Sequence, residues 1–329
     1  MEYTKAQPVI IGVDTGNKLI KTANGQFVAG LNVISDEMTG LIASPMDVLR
    51  WEGQNYAISQ TRTDWRDDKS DDTTYLILTL MGIAREIEHR KISRKLDVVL
   101  AVGLPPGHLN DSTLVNNYKR YFLKGGGVYY FTCGKERFQI RVVDVIVCPQ
   151  GFSALLTLNE EVVTRPDLYL IDIGGGTCDT VHFKNKKLDA ARTFSRDLGV
   201  IVMYSWLRGD MQAKFRRDIS ESDIDDILIH DKPGFFRPEH VDLVHNSAKG
   251  HVKKILAEHR DLKIDLLTSD VVFLGGGAIL LQKQIRDIAV DVVGSLTVLS
   301  NIRANAAGYE KFASARLKIE ARQAGASDE

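Results

Sequence analysis

The sequence predicts an α/β protein built from two similar lobes. Strand-like and helix-like apolar patterns alternate along its 329 residues, which is typical of layered α/β folds. One apolar run in each half ends in the pattern Asp-x-Gly, at Asp14 to Gly16 and at Asp172 to Gly174. Because a chain of this length can bury two hydrophobic cores, the repeat indicates a duplicated fold with one copy in each half.

The first half predicts a hairpin, an inserted segment, and then further strands and helices. Residues 8–15 and 18–23 have strand patterns around Gly16, and the irregular stretch from about 24 to 73 indicates a small inserted subdomain. The elements predicted after it are an amphipathic helix over 73–91, a buried strand from Asp97 to Gly103, a polar helix over about 108–123 and two strands, 128–133 and 136–147.

The second half repeats this order of elements. Ser220 and Asp223 have the spacing of a capping box, which marks the start of a helix. The elements predicted here are a helix after Pro149, a hairpin from Asp172 to Phe183, a helical stretch over about 197–265, the strand 271–274 followed by a helix, and a last helix over about 303–320.

The composition excludes several classes of protein. A net charge of −1 gives no field that would attract the whole molecule to DNA, so we expect no direct nucleic-acid binding. The three cysteines lack metal or disulfide spacing and are expected to be reduced thiols. There is neither a signal peptide nor an apolar run of the roughly 18 residues that span a bilayer. We therefore expect a cytoplasmic protein without a membrane partner, in which His240, His245 and His251 face solvent from a helix.

The first Asp-x-Gly turn has the composition of a phosphate-binding hairpin. Glycine permits close backbone approach, so main-chain N–H groups can contact phosphate oxygens. Asp14 repels phosphate, and its expected partner is a divalent cation, bound directly or through water. Lys21 follows seven residues later on the returning strand, where its ammonium would neutralise β- or γ-phosphate charge. Lys18 is a competing candidate, and a surface lysine on an edge hairpin is the alternative interpretation of Lys21.

The second turn is the more specific of the two. Gly174, Gly175 and Gly176 follow an apolar strand, and a structural role alone poorly explains the entropy that three glycines lose on folding. Asp172 is predicted to hold or orient Mg²⁺ through water, while Thr177 and the glycine amides bind phosphate. Asp179 lies beyond the turn and fits a ligand and a plain strand residue equally well.

A third motif, Gly275, Gly276 and Gly277, joins a strand to a helix. Its open backbone suits adenine or an anion, and a close-packed strand–helix turn is the alternative. Residues 125–127 are also glycines, but no carboxylate precedes them and we expect a plain loop. The sequence contains no P-loop signature, no dinucleotide-binding G-x-G-x-x-G and no order of residues typical of a protein nucleophile.

Taken in order, these motifs resemble those of the actin-like ATPase superfamily. The two phosphate loops of the family resemble residues 12–21 and 171–179, and its adenosine motif resembles 274–277. Its two connecting motifs resemble 147–154 and 305–309. The resemblance spans nearly the whole chain and implies a duplicated, two-lobe α/β fold of ribonuclease H-like domains. It also implies that ATP or ADP binds with Mg²⁺ in a cleft between the lobes.

The resemblance further implies lobe boundaries and site residues. The first lobe would comprise 1–150 with the inserted subdomain about 24–73, completed by the helix over about 303–320, and the second lobe would comprise 151–302 with a helical insertion over about 197–265. The implied metal residues are Asp14 and Asp172, acting through water. The implied nucleotide-binding residues are Asp14, Thr15, Gly16, Asn17, Lys18, Lys21, Gly174, Gly175, Gly176, Thr177, Gly275, Gly276 and Gly277.

Within the superfamily, the chain is similar to ParM-type plasmid-segregation actins and related bacterial and archaeal actin-like proteins. The similarity rests on chain length and on the segment from Val147 to Gln150. It implies two catalytic residues, Gln150 at the start of a helix and Asp172. An amide both accepts and donates hydrogen bonds, which suits orientation of the attacking water rather than its deprotonation.

The function implied by this similarity is an ATPase that polymerises with Mg²⁺–ATP and disassembles after hydrolysis. It would segregate plasmid DNA through a small DNA-binding adaptor protein on a centromere-like DNA site. A small-metabolite kinase of the same superfamily and a membrane-associated cell-shape or division actin homologue are the alternatives. Preference for ATP or GTP stays open, as does the role of Phe235 and Phe236, which fit either a subunit contact or the core.

Overall fold

The chain forms two compact units. The structure is a computed structural model, and it describes residues 7–42, 44–63, 70, 72–158 and 160–326. The first unit contains the residues up to Thr157 together with those from Arg303 onward, and the second unit is Leu158–Ile302. Parts of the predicted inserted subdomain, at 43, 64–69 and 71, lie outside the described residues.

Strands and helices alternate in both units. The strands are β1 Val9–Thr15, β2 Leu19–Thr22, β3 Gln26–Val28, β4 Leu31–Ile34, β5 Val48–Trp51, β6 Gln54–Ile58, β7 Lys95–Leu104, β8 Val128–Cys133, β9 Glu136–Pro149, β10 Asp167–Ile173, β11 Cys178–Lys184, β12 Lys187–Leu188, β13 Phe194–Arg196, β14 Asp270–Leu274 and β15 Ser295–Val298. The helices are α1 Asp36–Thr39, α2 Thr74–Arg90, α3 Ser112–Phe122, α4 Phe152–Leu155, α5 Glu160–Val163, α6 Val200–Phe215, α7 Glu221–His230, α8 Pro238–Asp261, α9 Gly275–Leu280, α10 Gln282–Ala289 and α11 Ala304–Ala326.

The sheet of the first unit has the strand order β3-β2-β1-β7-β9-β8-β5-β6-β4. Strands β1, β7 and β9 are parallel, and β2 and β3 add to β1 as antiparallel hairpins. The central strand β7 is buried along most of its length, which explains its continuous apolar sequence. Helix α2 packs its apolar face on this sheet, and the core between them is contiguous.

The sheet of the second unit has the order β12-β11-β10-β14-β15, with β13 paired to β11. Strands β10, β14 and β15 are parallel, and β11 joins β10 as an antiparallel hairpin. Both units thus place an antiparallel hairpin beside three parallel strands in the same order along the chain. The predicted duplicated α/β fold is therefore confirmed.

Helix α7, the middle helix of the helical stretch in the second unit, begins with the predicted capping box. Ser220 Oγ accepts a hydrogen bond from the Asp223 amide at 3.1 Å, and Asp223 Oδ2 accepts one from the Ser220 amide at 3.0 Å. This reciprocal capping box satisfies two amides that the first turn of α7 would otherwise leave unbonded.

Helix α11 belongs to the first unit, although it lies at the other end of the sequence. Glu310 Oε1 accepts a hydrogen bond from the Gly12 amide of β1 at 2.9 Å and pairs with Arg90 of α2. Arg90 also bonds Glu86 Oε2 at 2.8 Å. This network attaches α11 to the strand that carries Asp14.

Three sequence predictions need correction. The last helix continues to Ala326 rather than ending near residue 320. His240 and His251 are buried and not solvent-facing, because α8 packs against other helices on more than one side. His240 contacts the ring of Phe215 at 4.6 Å between centroids, while His251 Nε2 lies 3.0 Å from the Leu198 carbonyl oxygen.

Two other expectations concern the thiols and the membrane. Cys133, Cys148 and Cys178 are buried and form no disulfide, and burial raises the pKa of Cys133 and Cys148 to about 12. No helix in the described part of the chain has the length and apolar character that a bilayer span requires.

Candidate nucleotide-binding site

The first hairpin brings Asp14 and Lys21 together. They face each other across the β1–β2 pair, and Lys21 Nζ lies 3.0 Å from Asp14 Oδ2. Both side chains are nearly buried, at 11% exposure for the lysine and 4% for the aspartate. The ammonium therefore already neutralises the carboxylate before any phosphate is present.

The turn between β1 and β2 is narrow. A Cβ on Gly16 would lie 2.6 Å from the Leu19 carbonyl oxygen. Glycine is needed here because the backbone passes so close to Leu19. Asn17 Oδ1 accepts a hydrogen bond from the Tyr75 hydroxyl at 3.2 Å, and the Lys18 carbonyl accepts one from the Ala29 amide at 3.0 Å. These contacts hold the turn in one conformation.

Thr15 differs from its neighbours in the same turn. It is fully buried, and its Oγ1 lies 2.8 Å from the Tyr118 hydroxyl. The Thr15 side chain therefore belongs to the core of the first unit, which leaves its main chain as the part that a ligand can contact.

Gln150 lies at the same edge of the sheet as Asp14. Strands β1, β7 and β9 are parallel, so their carboxyl ends meet at one edge, and two strand spacings amount to roughly 10 Å. The main-chain N–H of Gln150 donates a hydrogen bond to the Leu104 carbonyl, at the end of β7, at 3.0 Å. Gln150 sits in the turn after β9, two residues before α4, rather than at the helix start that the sequence predicts.

The two connecting motifs, residues 147–154 and 305–309, contact each other next to Gln150. The Gly151 amide donates a hydrogen bond to Asn305 Oδ1 at 3.0 Å, and a Cβ on Gly308 would lie 2.0 Å from the Ser153 carbonyl oxygen. The start of α11 thus fixes the backbone that carries Gln150.

The second hairpin brings two carboxylates together. Asp172 on β10 and Asp179 on β11 are cross-strand partners, and they are 5% and 3% exposed. Thr177 Oγ1 donates a hydrogen bond to Asp179 Oδ2 at 3.1 Å. Like charges directly opposite each other repel, and a cation between them removes the repulsion.

The glycine turn of the second hairpin rests on the start of α6. The carbonyls of Gly174, Gly175 and Gly176 accept hydrogen bonds from the amides of Val200, Ile201 and Gly199 at 2.9–3.1 Å. A Cβ on Gly199 would lie 2.1 Å from the Gly175 carbonyl oxygen. The Gly174 amide donates to the Thr177 carbonyl at 2.9 Å, so the amides of Gly175 and Gly176 are the ones that a phosphate would contact.

The third glycine motif packs directly against Asp172. Gly275 has a φ of +90°, and a Cβ there would lie 2.2 Å from Asp172 Oδ1. A Cβ on Gly277 would meet Ile173 Cγ2 at 2.4 Å. The nearest atom to a Cβ on Gly276 is 3.5 Å away, so close packing explains Gly275 and Gly277 but not Gly276.

The structure therefore gathers the predicted residues into one cluster within each unit. Asp14, Lys21 and Gln150 share a sheet edge in the first unit, and Asp172, Thr177 and Gly275 share one in the second. Carboxyl ends of parallel strands are the usual ligand site of open α/β sheets. In the part of the chain that the structure describes, no three His, Cys, Asp or Glu side chains form a metal cluster, so Mg²⁺ would take its remaining ligands from water and phosphate.

Asp179 is the site residue that the sequence left undecided. It follows Asp172 by seven residues, the same spacing that relates Lys21 to Asp14. In a hairpin of this turn length, that spacing places the second residue directly opposite the first. The spacing argument applied to Lys21 would have found Asp179 as well.

Comparisons with known proteins agree with the observed fold. Residues 12–152 match the family described as Actin like proteins N terminal domain, a stretch that runs from just before Asp14 to just after Gln150. The solved structure of the archaeal actin homolog Ta0583 in complex with ADP is 19% identical, with a TM-score of 0.69 over 93% of this chain and 99% of that one. The protein has the actin-like fold.

Two ParM structures give the same result for the actin-like fold. The pCBH ParM non-polymerisable quadruple mutant is 16% identical, with a TM-score of 0.72 over 94% of this chain and 99% of that one. A subunit of a 15-stranded ParM filament from Clostridium botulinum is 17% identical, with a TM-score of 0.70 over 93% and 99%. No curated protein sequence matches significantly. The resemblance to the actin-like superfamily is thus confirmed at the level of the fold.

Proposed function

We propose that this actin-like chain is a Mg²⁺-dependent ATPase that polymerises with ATP bound and disassembles after hydrolysis. The observation that carries the proposal is the buried pair Asp172 and Asp179 beside a glycine turn whose carbonyls are held by α6. Two carboxylates and a row of amides are the protein ligands that a Mg²⁺–phosphate group needs. In the first hairpin, the Lys21 ammonium would contact phosphate oxygens.

Gln150 is proposed to orient the attacking water. The Gln150 main-chain N–H bonds the Leu104 carbonyl, and the N–H of the next residue, Gly151, bonds Asn305 Oδ1. The backbone that carries the Gln150 side chain is therefore fixed at the edge that carries Asp14. An amide cannot remove a proton at neutral pH, and this distinguishes the site from that of a kinase, which needs a carboxylate base near its acceptor hydroxyl.

The proposal includes self-assembly into a filament and a role for that filament in moving DNA. An ADP complex and a ParM filament stand among the structures of this fold, which supports nucleotide-dependent self-assembly here. A nucleotide that binds the polymerised conformation more tightly shifts assembly by that difference in affinity. We propose that the filament acts in the cytoplasm and moves plasmid DNA through an adaptor bound to a centromere-like site, since the chain has a net charge of only −1.

Light scattering and negative-stain images with Mg²⁺–ATP test this function. We expect filaments for the wild type and for Gln150→Ala, with filaments of the variant persisting roughly a hundredfold longer because hydrolysis is slowed. Gln212→Ala, which removes an exposed amide on α6, is the matched control and should behave as wild type.

Two results would contradict parts of the proposal separately. Absence of scattering at micromolar protein with Mg²⁺–ATP would exclude the filament. Equal filament lifetimes for the wild type and Gln150→Ala would remove Gln150 from the hydrolysis step.

A further inference from the structure

The loop between α7 and α8 places two adjacent phenylalanines, Phe235 and Phe236, in different environments. The Phe236 amide bonds the Pro233 carbonyl at 2.9 Å, which closes a tight turn. Phe236 packs on the core of the second unit and lies 6.1 Å from the His240 ring between centroids. Phe235, at the tip of the turn, is 95% exposed. One phenylalanine therefore anchors the loop, and the other is held out in solvent.

Five exposed cations lie on this loop and on the end of α6. Arg217 at the end of α6 donates a hydrogen bond to the Phe235 carbonyl at 3.4 Å and covers the Phe236 ring at 4.9 Å. This contact brings the end of α6 against the loop. The tip consists of Phe235 with Lys214, Arg216, Arg217, Lys232 and Arg237, all of them exposed.

The acidic residues near the tip do not neutralise it. Asp218 pairs with Arg208 at 3.4 Å, and Asp231 pairs with Lys283 at 2.5 Å, so both are engaged by cations outside the tip. Glu239 forms a long ion pair with Arg237 at 3.9 Å and so offsets one of the five cations in part. Among the described residues, the exposed phenylalanine therefore lies in a net positive field.

Two cavities of this chain would be poor partners for the tip of a second copy. The cavity near the end of α8 is lined by the cations Lys253, Lys254 and Arg260 beside a single carboxylate, Asp265. The cavity beside β5 and β8 carries four cations, Arg50, Arg94, Lys95 and Arg137, beside Glu52. Both would repel a positively charged tip by like-charge contact.

A flat anionic surface meets the requirements better than a protein pocket does. The tip is convex and has one aromatic residue, whereas a protein hot spot needs a contiguous apolar patch enclosed by further contacts. An aromatic ring flanked by cations is suited to the lipid headgroup region. Each lysine or arginine near an anionic bilayer strengthens binding by about fivefold.

We propose that the Phe235 tip docks the protein on anionic lipid membranes. Phe235 enters the headgroup region, and the five cations contact lipid phosphates. This contact needs neither nucleotide nor polymer, and it replaces the expectation of no membrane partner. A filament would multiply the contact by presenting many tips on one surface.

Flotation of the full chain with vesicles tests this inference. In low salt and without nucleotide, we expect binding to mixed phosphatidylcholine–phosphatidylglycerol vesicles, none to phosphatidylcholine alone, and loss of binding at high salt. Phe235→Ser should weaken binding about tenfold, because it removes an apolar group that the headgroup region accepts. Lys232→Glu with Arg237→Glu should abolish binding, because two attractions become repulsions.

Matched variants elsewhere control for general loss of apolar surface or charge. Leu41→Ser removes a side chain that is 76% exposed in the first unit, and Lys186→Glu with Lys187→Glu reverses two exposed charges in the second unit. Both should bind anionic vesicles like the wild type. Unchanged thermal melting of Phe235→Ser would show that the loss of binding is not unfolding.

Three outcomes would overturn the inference. The first is equal binding to neutral and anionic vesicles, or none to either. The second is equal losses in the tip variants and their controls. The third is binding to soluble polyglutamate without binding to anionic vesicles, which would assign the tip to an acidic protein. None of these results depends on ATP turnover, so the proposed ATPase function is tested independently.

Discussion

The two hairpins of this protein share a topology but differ in charge. Asp14 faces Lys21 in the first, so the pair is neutral by itself. Asp172 faces Asp179 in the second, where two negative groups are nearly buried side by side. Under the proposed function, the neutral hairpin would suit phosphate and the negative hairpin would suit a metal ion.

The hairpins also differ in what holds their turns. The turn at Gly16 contacts elements outside its hairpin through Asn17 and Lys18, which bond Tyr75 of α2 and the Ala29 amide. The turn at 174–176 has all three of its glycine carbonyls bonded to the first amides of α6, so it depends more on distant packing. Substitutions that affect each kind of contact should separate the two.

The largest expected effect is that of Gly199→Ala. The added methyl would lie within 2.5 Å of three backbone atoms of Gly175 and Gly176, and backbone cannot move aside as a flexible side chain can. We expect a loss of about 4 kcal/mol in the free energy of unfolding of the second unit, measured by urea denaturation.

Gly16→Ala is the matched substitution in the first hairpin. Its methyl would lie 2.6 Å from one carbonyl oxygen, that of Leu19, and the hairpin can open slightly to accept it. We expect about half the loss of the Gly199 variant. A larger loss for Gly16→Ala would reverse the comparison of the two turns.

The requirement at Gly199 could not be predicted from the sequence. Residues 174–176 were recognisable as a turn because three glycines follow an apolar strand. Their contact with Gly199 depends on how α6 packs on β10, which no local pattern encodes. The same limit applies to His251: the helical stretch was predictable, but the face of α8 that is buried depends on its neighbours.

Removal of one carboxylate from each hairpin should destabilise the protein less than Gly199→Ala does. Here the first hairpin should lose more stability than the second, which is the reverse of the order expected for the glycine substitutions. Asp14→Asn removes the carboxylate opposite Lys21 in a nearly buried pair, and breaking such a pair costs about 3 kcal/mol. Asp172→Asn removes one of two facing carboxylates and relieves their repulsion, so without Mg²⁺ its cost should be smaller than that of Asp14→Asn. Urea denaturation of metal-free and nucleotide-free protein measures both.

A double substitution provides the control for Asp14. Asp14→Asn combined with Lys21→Met should recover most of the loss, because the buried ammonium is removed with its partner. If Asp172→Asn were as destabilising as Asp14→Asn, the carboxylates of the second hairpin would not be in conflict, and the argument for a metal ion there would fail.

The hairpin spacing shows how far sequence reasoning can reach in such a site. Lys21 and Asp179 both lie seven residues after an aspartate, so their positions opposite Asp14 and Asp172 follow from local turn geometry. Thr15 could not be assigned in this way, because its contact with Tyr118 brings in a helix far along the chain. Local geometry was predictable, and contacts between distant elements were not.

A final expected effect separates the two units by pH. Burial, together with the charge of Lys254, lowers the pKa of His251 from 6.5 to about 4, despite the bond to the Leu198 carbonyl. His259 in the same helix is shifted in the same direction by burial. The unfolded chain therefore binds protons below pH 6.5 that the folded second unit does not bind, and stability falls as the pH falls.

For His251 alone, this linkage amounts to a loss of about 2 kcal/mol between pH 6.5 and pH 5. In the first unit, His89 and His108 are exposed. Burial raises the pKa of Glu310, so the free-energy cost of burying its carboxylate decreases as the pH falls. Hydrogen exchange at pH 5 should therefore show opening of the second unit first. His251→Gln, which keeps a donor for the Leu198 carbonyl, should reduce this pH dependence, whereas His108→Gln should leave it unchanged. Equal exchange from both units at pH 5 would mean that the buried histidines do not set the acid limit of the protein.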